Sequence, residues 1–261
     1  ERLLTTDIAD KSTPHFFLGQ LDQEEKKLDA ALEHYRQVSS GDQYIAARSR
    51  AAQILLQQGK SDAARTLLHE TRGGTQAERT QLTLAEAQLL REANRPNEAY
   101  IVLETALSTQ PDNPELLYEA ALSAERLGKP EILEKHLTRL IGLKPDHAHA
   151  LNALGYSWAD RNIRLTEAHE LISRAAKLMP EDPFIMDSLG WVFFRQGDLN
   201  KALSTLESAY KIKPDPEIAA HLGEVLWAMQ RKDDARRILK EAAAKHPDSE
   251  VLATTIKKLK P

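Results

Sequence analysis

The chain has 261 residues, with 35 basic and 39 acidic side chains, a formal net charge of -4 and no cysteine. Nothing in that balance suggests a nucleic-acid binder, which would show a concentrated basic stripe, and the missing thiols exclude disulfides and cysteine metal sites. A chain with 41% hydrophobic and 28% charged residues is not a disordered one, and the scarcity of β-branched runs favours helix almost throughout.

Taken in order, the elements repeat. Leu18-Gly19, Ala31 and Tyr35 mark a first helix hairpin over 12–40, and Ala52, Gly59 and Ala64 a second over 45–72. Ala87, Ala99, Ala106 and Pro111 mark a third over 80–112. Ala121, Leu133, Leu140 and Pro145 mark a fourth over 114–146. Its leucines replace the alanines found elsewhere, so this hairpin is expected to pack less tightly. Three well-matched blocks follow over 148–181, 183–215 and 216–247. They open on Ala150-Leu-Asn-Ala-Leu-Gly-Tyr-Ser-Trp, Ile185-Met-Asp-Ser-Leu-Gly-Trp-Val-Phe and Ile218-Ala-Ala-His-Leu-Gly-Glu-Val-Leu. A final helix over 248–260 reads as the polar cap that a repeat array needs. Residues 1 to 10 read as the remnant of an earlier repeat. The chain starts on Glu1, so a fragment or a processed form is expected.

In the last three blocks Gly155, Gly190 and Gly223 are spaced 35 and 33 apart. Ala168, Ala202 and Ala235 keep the same period, as do Ala175, Ala209 and Ala242, and Pro180, Pro214 and Pro247. Glycine in the first helix and alanine in the second remove side chains where the two helices press together. The proline ends the second helix, because it has no N–H and restricts the residue before it. Asn113-Pro114, Asp182-Pro183 and Asp215-Pro216 then read as an N-cap followed by proline at the first helical position. Gly155 to Ala168 is one residue longer than its counterparts, which places an insertion in Asp160-Arg-Asn-Ile-Arg-Leu-Thr166. It is either a longer turn or a protruding contact.

Helical geometry sorts the first helices into two stripes. Leu151, Leu154 and Trp158, with Met186, Leu189 and Phe193, face the second helix as core. A separate stripe carries the candidate protein-binding residues: Tyr118, His149, Asn152, Tyr156, Phe184, Asp187, Trp191, Phe194, Glu224 and Trp227. Aromatics are only 5% of the chain, yet many of the large ones fall here, and buried aromatic anchors dominate binding hot spots. Asn152 offers a peptide backbone a donor and an acceptor. Asp187 and Glu224 offer pairing to a basic partner residue. Replacing Tyr156 and Trp191 together is expected to weaken binding without unfolding the array.

Catalytic and nucleotide motifs fail: no Gly-x-x-x-x-Gly-Lys-Ser/Thr, no Gly-x-Gly-x-x-Gly, no His-Glu-x-x-His and no Gly-x-Ser-x-Gly occur. His147 and His149 are two apart, which does not put both on one helix face, so no metal, cofactor or catalytic residue is expected. Glu24-Glu25 and Asp233-Asp234 read as helix starts favoured by the dipole. The mixed-sign run from Arg231 to Arg237 reads as a solvated helix start. No apolar stretch is long enough to span a membrane.

Four slots sharing a period of about 34 resemble the tetratricopeptide repeat (TPR). The resemblance implies an all-α, right-handed superhelical solenoid of about seven hairpins, with first helices lining a concave groove that binds other proteins. The slot after the small residue holds Gln20, Gln53, Gln88, Leu122, Tyr156, Trp191 and Glu224, without the asparagine of chaperone-binding TPR domains, which disfavours that mode. Ala150-Leu-Asn-Ala-Leu-Gly-Tyr-Ser-Trp-Ala-Asp-Arg, Asp187-Ser-Leu-Gly-Trp-Val and Pro214-Asp-Pro-Glu-Ile-Ala-Ala-His-Leu-Gly-Glu-Val-Leu-Trp resemble the TPR lipoproteins of Gram-negative bacteria. Among these are the LbcA-type outer-membrane adaptors of a periplasmic carboxyl-terminal processing protease. That resemblance implies a lipid-modified cysteine upstream, a place at the periplasmic face of the outer membrane, and a protease and its cell-wall hydrolase substrates as partners. A TPR assembly factor for a pilus, secretion or polysaccharide-export machine is the alternative. A targeting arm of an absent catalytic domain is a third reading.

Overall fold

The computed structural model describes residues 11–260, and the repeat remnant expected before them lies outside the described residues. Among these the chain forms fifteen α-helices and no strand. Two compact units divide it, Glu1–Lys129 and Pro130–Pro261. The boundary falls within the stretch 114–146, where Leu133 and Leu140 stand in the alanine slots.

The first unit contains α1 (Ser12–Glu24), α2 (Leu28–Gln37), α3 (Tyr44–Gln57), α4 (Ser61–Glu70), α5 (Gln76–Glu92), α6 (Pro96–Thr109) and α7 (Pro114–Arg126). The second contains α8 (Pro130–Leu143), α9 (Ala148–Asp160), α10 (Leu165–Leu178), α11 (Pro183–Arg195), α12 (Leu199–Ile212), α13 (Pro216–Ala228), α14 (Lys232–Lys245) and the capping helix α15 (Glu250–Leu259). Within each unit, consecutive helices pair as hairpins and each hairpin packs on the next. First helices also touch one another, α9 on α11, α11 on α13 and α13 on α15.

Local chemistry sets the helix ends. Asp182 accepts from the amides of Phe184 and Ile185 at 2.9 and 3.0 Å, with Pro183 at the first helical position of α11. Asn113 and Asp215 cap α7 and α13 in the same way. Each hairpin turn within a unit passes through a left-handed residue: Lys26, Gly59, Asn94, Asn162, Gly197 and Gln230. At Gly197 the amides of Gly197 and Asp198 bond back to Phe194 and Phe193, satisfying the carbonyls that end α11.

The glycine and alanine slots act as expected. A Cβ on Gly190 would meet Leu206 Cγ at 2.6 Å, and one on Gly155 would meet Ile172 Cγ1 at 2.7 Å. Ala168, Ala202 and Ala235 opposite them are fully buried. Gly223 meets Leu239 at 2.8 Å in the same manner.

Two expectations change. Glu24-Glu25 does not start a helix: Glu24 ends α1 and Glu25 is its C-cap, ion-paired with Lys27 at 2.6 Å. The left-handed Lys26 makes this the turn. Core burial also differs between repeats. Leu151, Leu154 and Trp158 are buried, but Met186, Leu189 and Phe193 are only half-buried. First helices flank one another, so burial on α11 extends to the stripe that touches α9 and α13. The inserted turn after α9 is pinned rather than projecting. Arg164 lies 3.8 Å over the Trp158 ring and bonds Glu134 and Glu167, each at 3.1 Å.

Gly190→Val is expected to lower the unfolding free energy by about 3 kcal/mol, since the added atoms must displace Leu206. Gly142→Ala, inside α8 where a Cβ meets nothing within 4 Å, is expected to raise it by about 1 kcal/mol. Urea denaturation of both variants checks the pair.

Candidate functional site

The first helices of the second unit bring a compact cluster together. On α11, Asp187 and Trp191 are one turn apart and only 4% and 3% exposed. On α13, His221 is 6% exposed, and its Nδ1 lies 2.9 Å from both Asp187 carboxylate oxygens. The His221 ring stacks on Trp191 with centroids 4.1 Å apart and planes 21° apart. Trp191 in turn contacts Phe194 at 5.1 Å. From α9, the Tyr156 hydroxyl reaches across to donate to Glu217 of α13 at 3.1 Å, and its ring centroid is 6.1 Å from that of His221.

Burial alone pushes the His221 pKa down. The Asp187 carboxylate, with Glu217 and Glu224 behind it, more than reverses this and holds it above the ordinary histidine value. The protonated ring is then a cation held between a carboxylate and an indole face, which favours both contacts. Burial, followed by the negative field of Glu217, Asp160 and Asp187, pushes the Tyr156 phenol well above its ordinary value. It stays a neutral donor.

The structure thus sorts the expected residues. Asp187 and Trp191 form the wall between helices rather than an open surface, because their stripe on α11 is where α9 and α13 pack. Removing Trp191 would leave a cavity, so the expectation that its loss spares the fold does not hold. Glu224 is bonded to Lys258 of α15 at 2.7 Å, so neither expected carboxylate is open to a basic partner. Asn152 is half-buried, and its Oδ1, like Trp191 Nε1, has no hydrogen-bond partner among the described residues. What remains open is aromatic. Phe184 is 41% exposed, with Lys213 Nζ 4.2 Å from its ring centroid. Trp227 is half-buried, with Lys232 Nζ at 5.1 Å. Tyr156 and Phe194 are half-buried, and His149 is exposed at the start of α9. Tyr118, half-buried on α7, belongs to the first unit.

Sequence reasoning passed over His221 and Lys258. A signal existed for the first: the slot two before the glycine holds Ala153, Ser188 and then His221, the one titratable side chain in that slot. His147 serves as a cap, its Nδ1 accepting from the Ala150 amide at 3.1 Å, and burial pushes its pKa down. Among the described residues no three metal-binding side chains cluster, and no helix is long and apolar enough to cross a membrane.

The hairpins, their small-residue slots and the helix-on-helix stacking are those of tetratricopeptide repeats. Tetratricopeptide-repeat family models match residues 45–70, 84–131 and 193–258, and the chain is a TPR-repeat protein. A TPR repeat-containing protein of Pseudomonas aeruginosa is 43% identical over 210 residues, which is 80% of this chain and 36% of that protein. The chain therefore spans about a third of the length of the curated relative it matches. A tetratricopeptide-repeat protein of Parabacteroides merdae superposes with a TM-score of 0.72 at 16% identity, over 96% of this chain and 99% of that one. A thermophilic TPR protein of Thermus thermophilus gives 0.61 at 23% identity, over 69% and 97%. These likenesses show the fold.

The buried pair makes stability depend on pH. His221 is held above an exposed histidine's value of about 6.5, so its contribution is complete below that pH. It is lost as pH rises through the raised folded value. His15 and His147, both lowered by burial first, act with the opposite sign, so the informative quantity is a difference. The melting temperature of the wild type relative to Asp187→Asn is expected to be greatest near pH 6 and to shrink towards pH 9. At pH 6 the variant is expected to lose about 3 kcal/mol. Calorimetry across that range checks it.

Proposed function

We propose that this chain is a non-catalytic protein-binding scaffold, and that it works as an adaptor tethering a carboxyl-terminal processing protease and delivering cell-wall hydrolases to it, at the periplasmic face of the outer membrane. TPR repeats are typically non-catalytic protein-binding arrays. The observation that carries the reading here is the aromatic face of the second unit. Tyr156, Phe184, Phe194 and Trp227 emerge from three successive first helices, backed by the buried Trp191–His221–Asp187 stack. The buried stack holds Tyr156 and Phe194 in place before a partner arrives, so little of their side-chain freedom remains to be lost on binding.

The adaptor role rests on the resemblance of the last three repeats to the Gram-negative lipoproteins, supported by the bacterial relative at 43% identity. An array that holds a protease and its substrate together raises the effective concentration of one at the other, to the mM range for short spans. Catalysis then stays with the partner, and the scaffold contributes geometry.

Phe184→Ala with Trp227→Ala removes one exposed and one half-buried anchor while leaving the buried stack in place. Affinity capture from a bacterial envelope extract, with wild type and double variant side by side and a mass-spectrometric readout, is the test. Recovery of a carboxyl-terminal processing protease or cell-wall hydrolases, reduced about thirtyfold or more by the double variant, is expected. Recovery of pilus, secretion or polysaccharide-export proteins instead would replace the adaptor with an assembly factor. Capture undiminished by the double variant would move the binding face elsewhere.

A further inference from the structure

The loop from α4 to α5 departs from the later inter-repeat loops. Those carry a proline before the next N-cap, whereas Thr71-Arg72-Gly73-Gly74-Thr75 has none. This loop is pressed onto the first turn of α5. A Cβ on Gly73 would lie 2.8 Å from the Arg79 backbone nitrogen. The Arg79 guanidinium donates to the carbonyls of Gly74 at 3.2 Å and Gly73 at 3.4 Å. Thr75 and Glu78 close a capping box on the same turn. The loop thereby walls a cleft of about 460 Å³ whose lining includes Leu68, His69, Arg72, Arg79, Leu82 and Glu86. All of these belong to the first unit.

The charges in this cleft do not cancel. Glu86 is 7% exposed and fully engaged: Arg65 Nε donates to it at 3.0 Å, and His69 Nε2 lies 2.8 Å away. The Glu78 carboxylate accepts from the Thr75 amide at 2.8 Å. The hydrogen-bond partners of Arg79 are carbonyls, which neutralise no charge. Arg72 is exposed and has no hydrogen bond or ion pair among the described residues. The Glu78 carboxylate, held below its ordinary value in part by Arg79, offsets that guanidinium only at a distance, so neither Arg72 nor Arg79 is ion-paired, and both stand beside an apolar wall of Leu68 and Leu82, both buried.

We propose that this cleft is a second recognition site, and that it takes a carboxylate carried on an aliphatic stem of a partner protein. The guanidinium fork matches carboxylate geometry and forms paired, charge-assisted bonds. The leucines receive the stem. The cleft falls at the small end of the range of ligand pockets, suited to one side chain and its flanking backbone. A glutamate side chain and the α-carboxylate of an aliphatic C-terminus share this chemistry. The site is independent of the aromatic face on α9, α11 and α13, so either reading can fail alone.

Amide NMR of the whole chain tests it with three N-acetylated pentapeptides: Ala-Ala-Glu-Ala-Ala amide, Ala-Ala-Gln-Ala-Ala amide, and Ala-Ala-Ala-Ala-Leu with a free carboxylate. Shifts at Arg72–Arg79 and Leu82–Glu86 are expected with an acidic peptide and not with the glutamine one. Which acidic peptide binds identifies the source. Arg72→Gln, an exposed change that leaves the loop clamp intact, is expected to weaken binding roughly tenfold with an unchanged melting temperature, and added salt to weaken it further. The proposal is overturned if neither acidic peptide moves these amides, if the glutamine peptide moves them equally, or if Arg72→Gln has no effect. It is also overturned if the shifts appear on α9, α11 and α13 instead, or if inorganic phosphate alone reproduces them more tightly than either peptide.

Discussion

Within a hairpin, the two helices approach until the backbone of the first meets side chains of the second. A Cβ on Gly190 would come within 2.6 Å of Leu206, a distance real Cβ atoms do not reach, so nothing larger than hydrogen fits there. Ala202 opposite is fully buried for the same reason. This close approach sets what else the first helix can do. One flank is committed to its hairpin partner, and two more lie against the first helices before and after it. Only a narrow stripe is left for anything outside the stack.

That confinement explains why a stripe chosen for binding proves half structural. Two first helices that touch side by side share their stripe residues, and a polar side chain caught there needs an internal partner. Asp187 finds His221, and Glu224 finds Lys258. The charges of this face are largely spent inside the molecule. Its outward chemistry is aromatic, with lysines laid over the rings of Phe184 and Trp227. On the binding role proposed for this face, a contact here would rest on shape and apolar area more than on charge pairing.

The architecture was legible in the sequence because it follows from residue types that act locally. Glycine and alanine slots, proline stops and Asn/Asp-Pro caps each produce the same local geometry wherever they recur. The candidate site was legible only in part. The helical spacing placed Asp187, Trp191 and Phe184 on one stripe, but the same spacing does not say which stripe residues a neighbouring helix covers. That depends on pairs about one repeat apart, such as Asp187 with His221, and a period describes what repeats share rather than where they differ. Glu24-Glu25 misled for a related reason: acidic pairs suit a helix start, but the weakly marked first repeat gave no glycine to locate its turn, which Lys26 makes instead. The α4–α5 cleft lay hidden because its loop lacks the punctuation by which the other repeats were recognised.

The Asp187–His221 pair also bears on how such an array can change over generations. Repeats of nearly uniform length invite duplication, deletion and exchange, since each hairpin offers its neighbours a similar surface. Here the slot that holds His221 holds Ser188 one repeat earlier and Ala153 before that. A deletion that set a different hairpin after α11 would bury the Asp187 carboxylate with no cation to meet it, an expensive arrangement in a dry interface. The pair therefore acts as a key between the sixth and seventh hairpins, giving a sequence of interchangeable parts a fixed order.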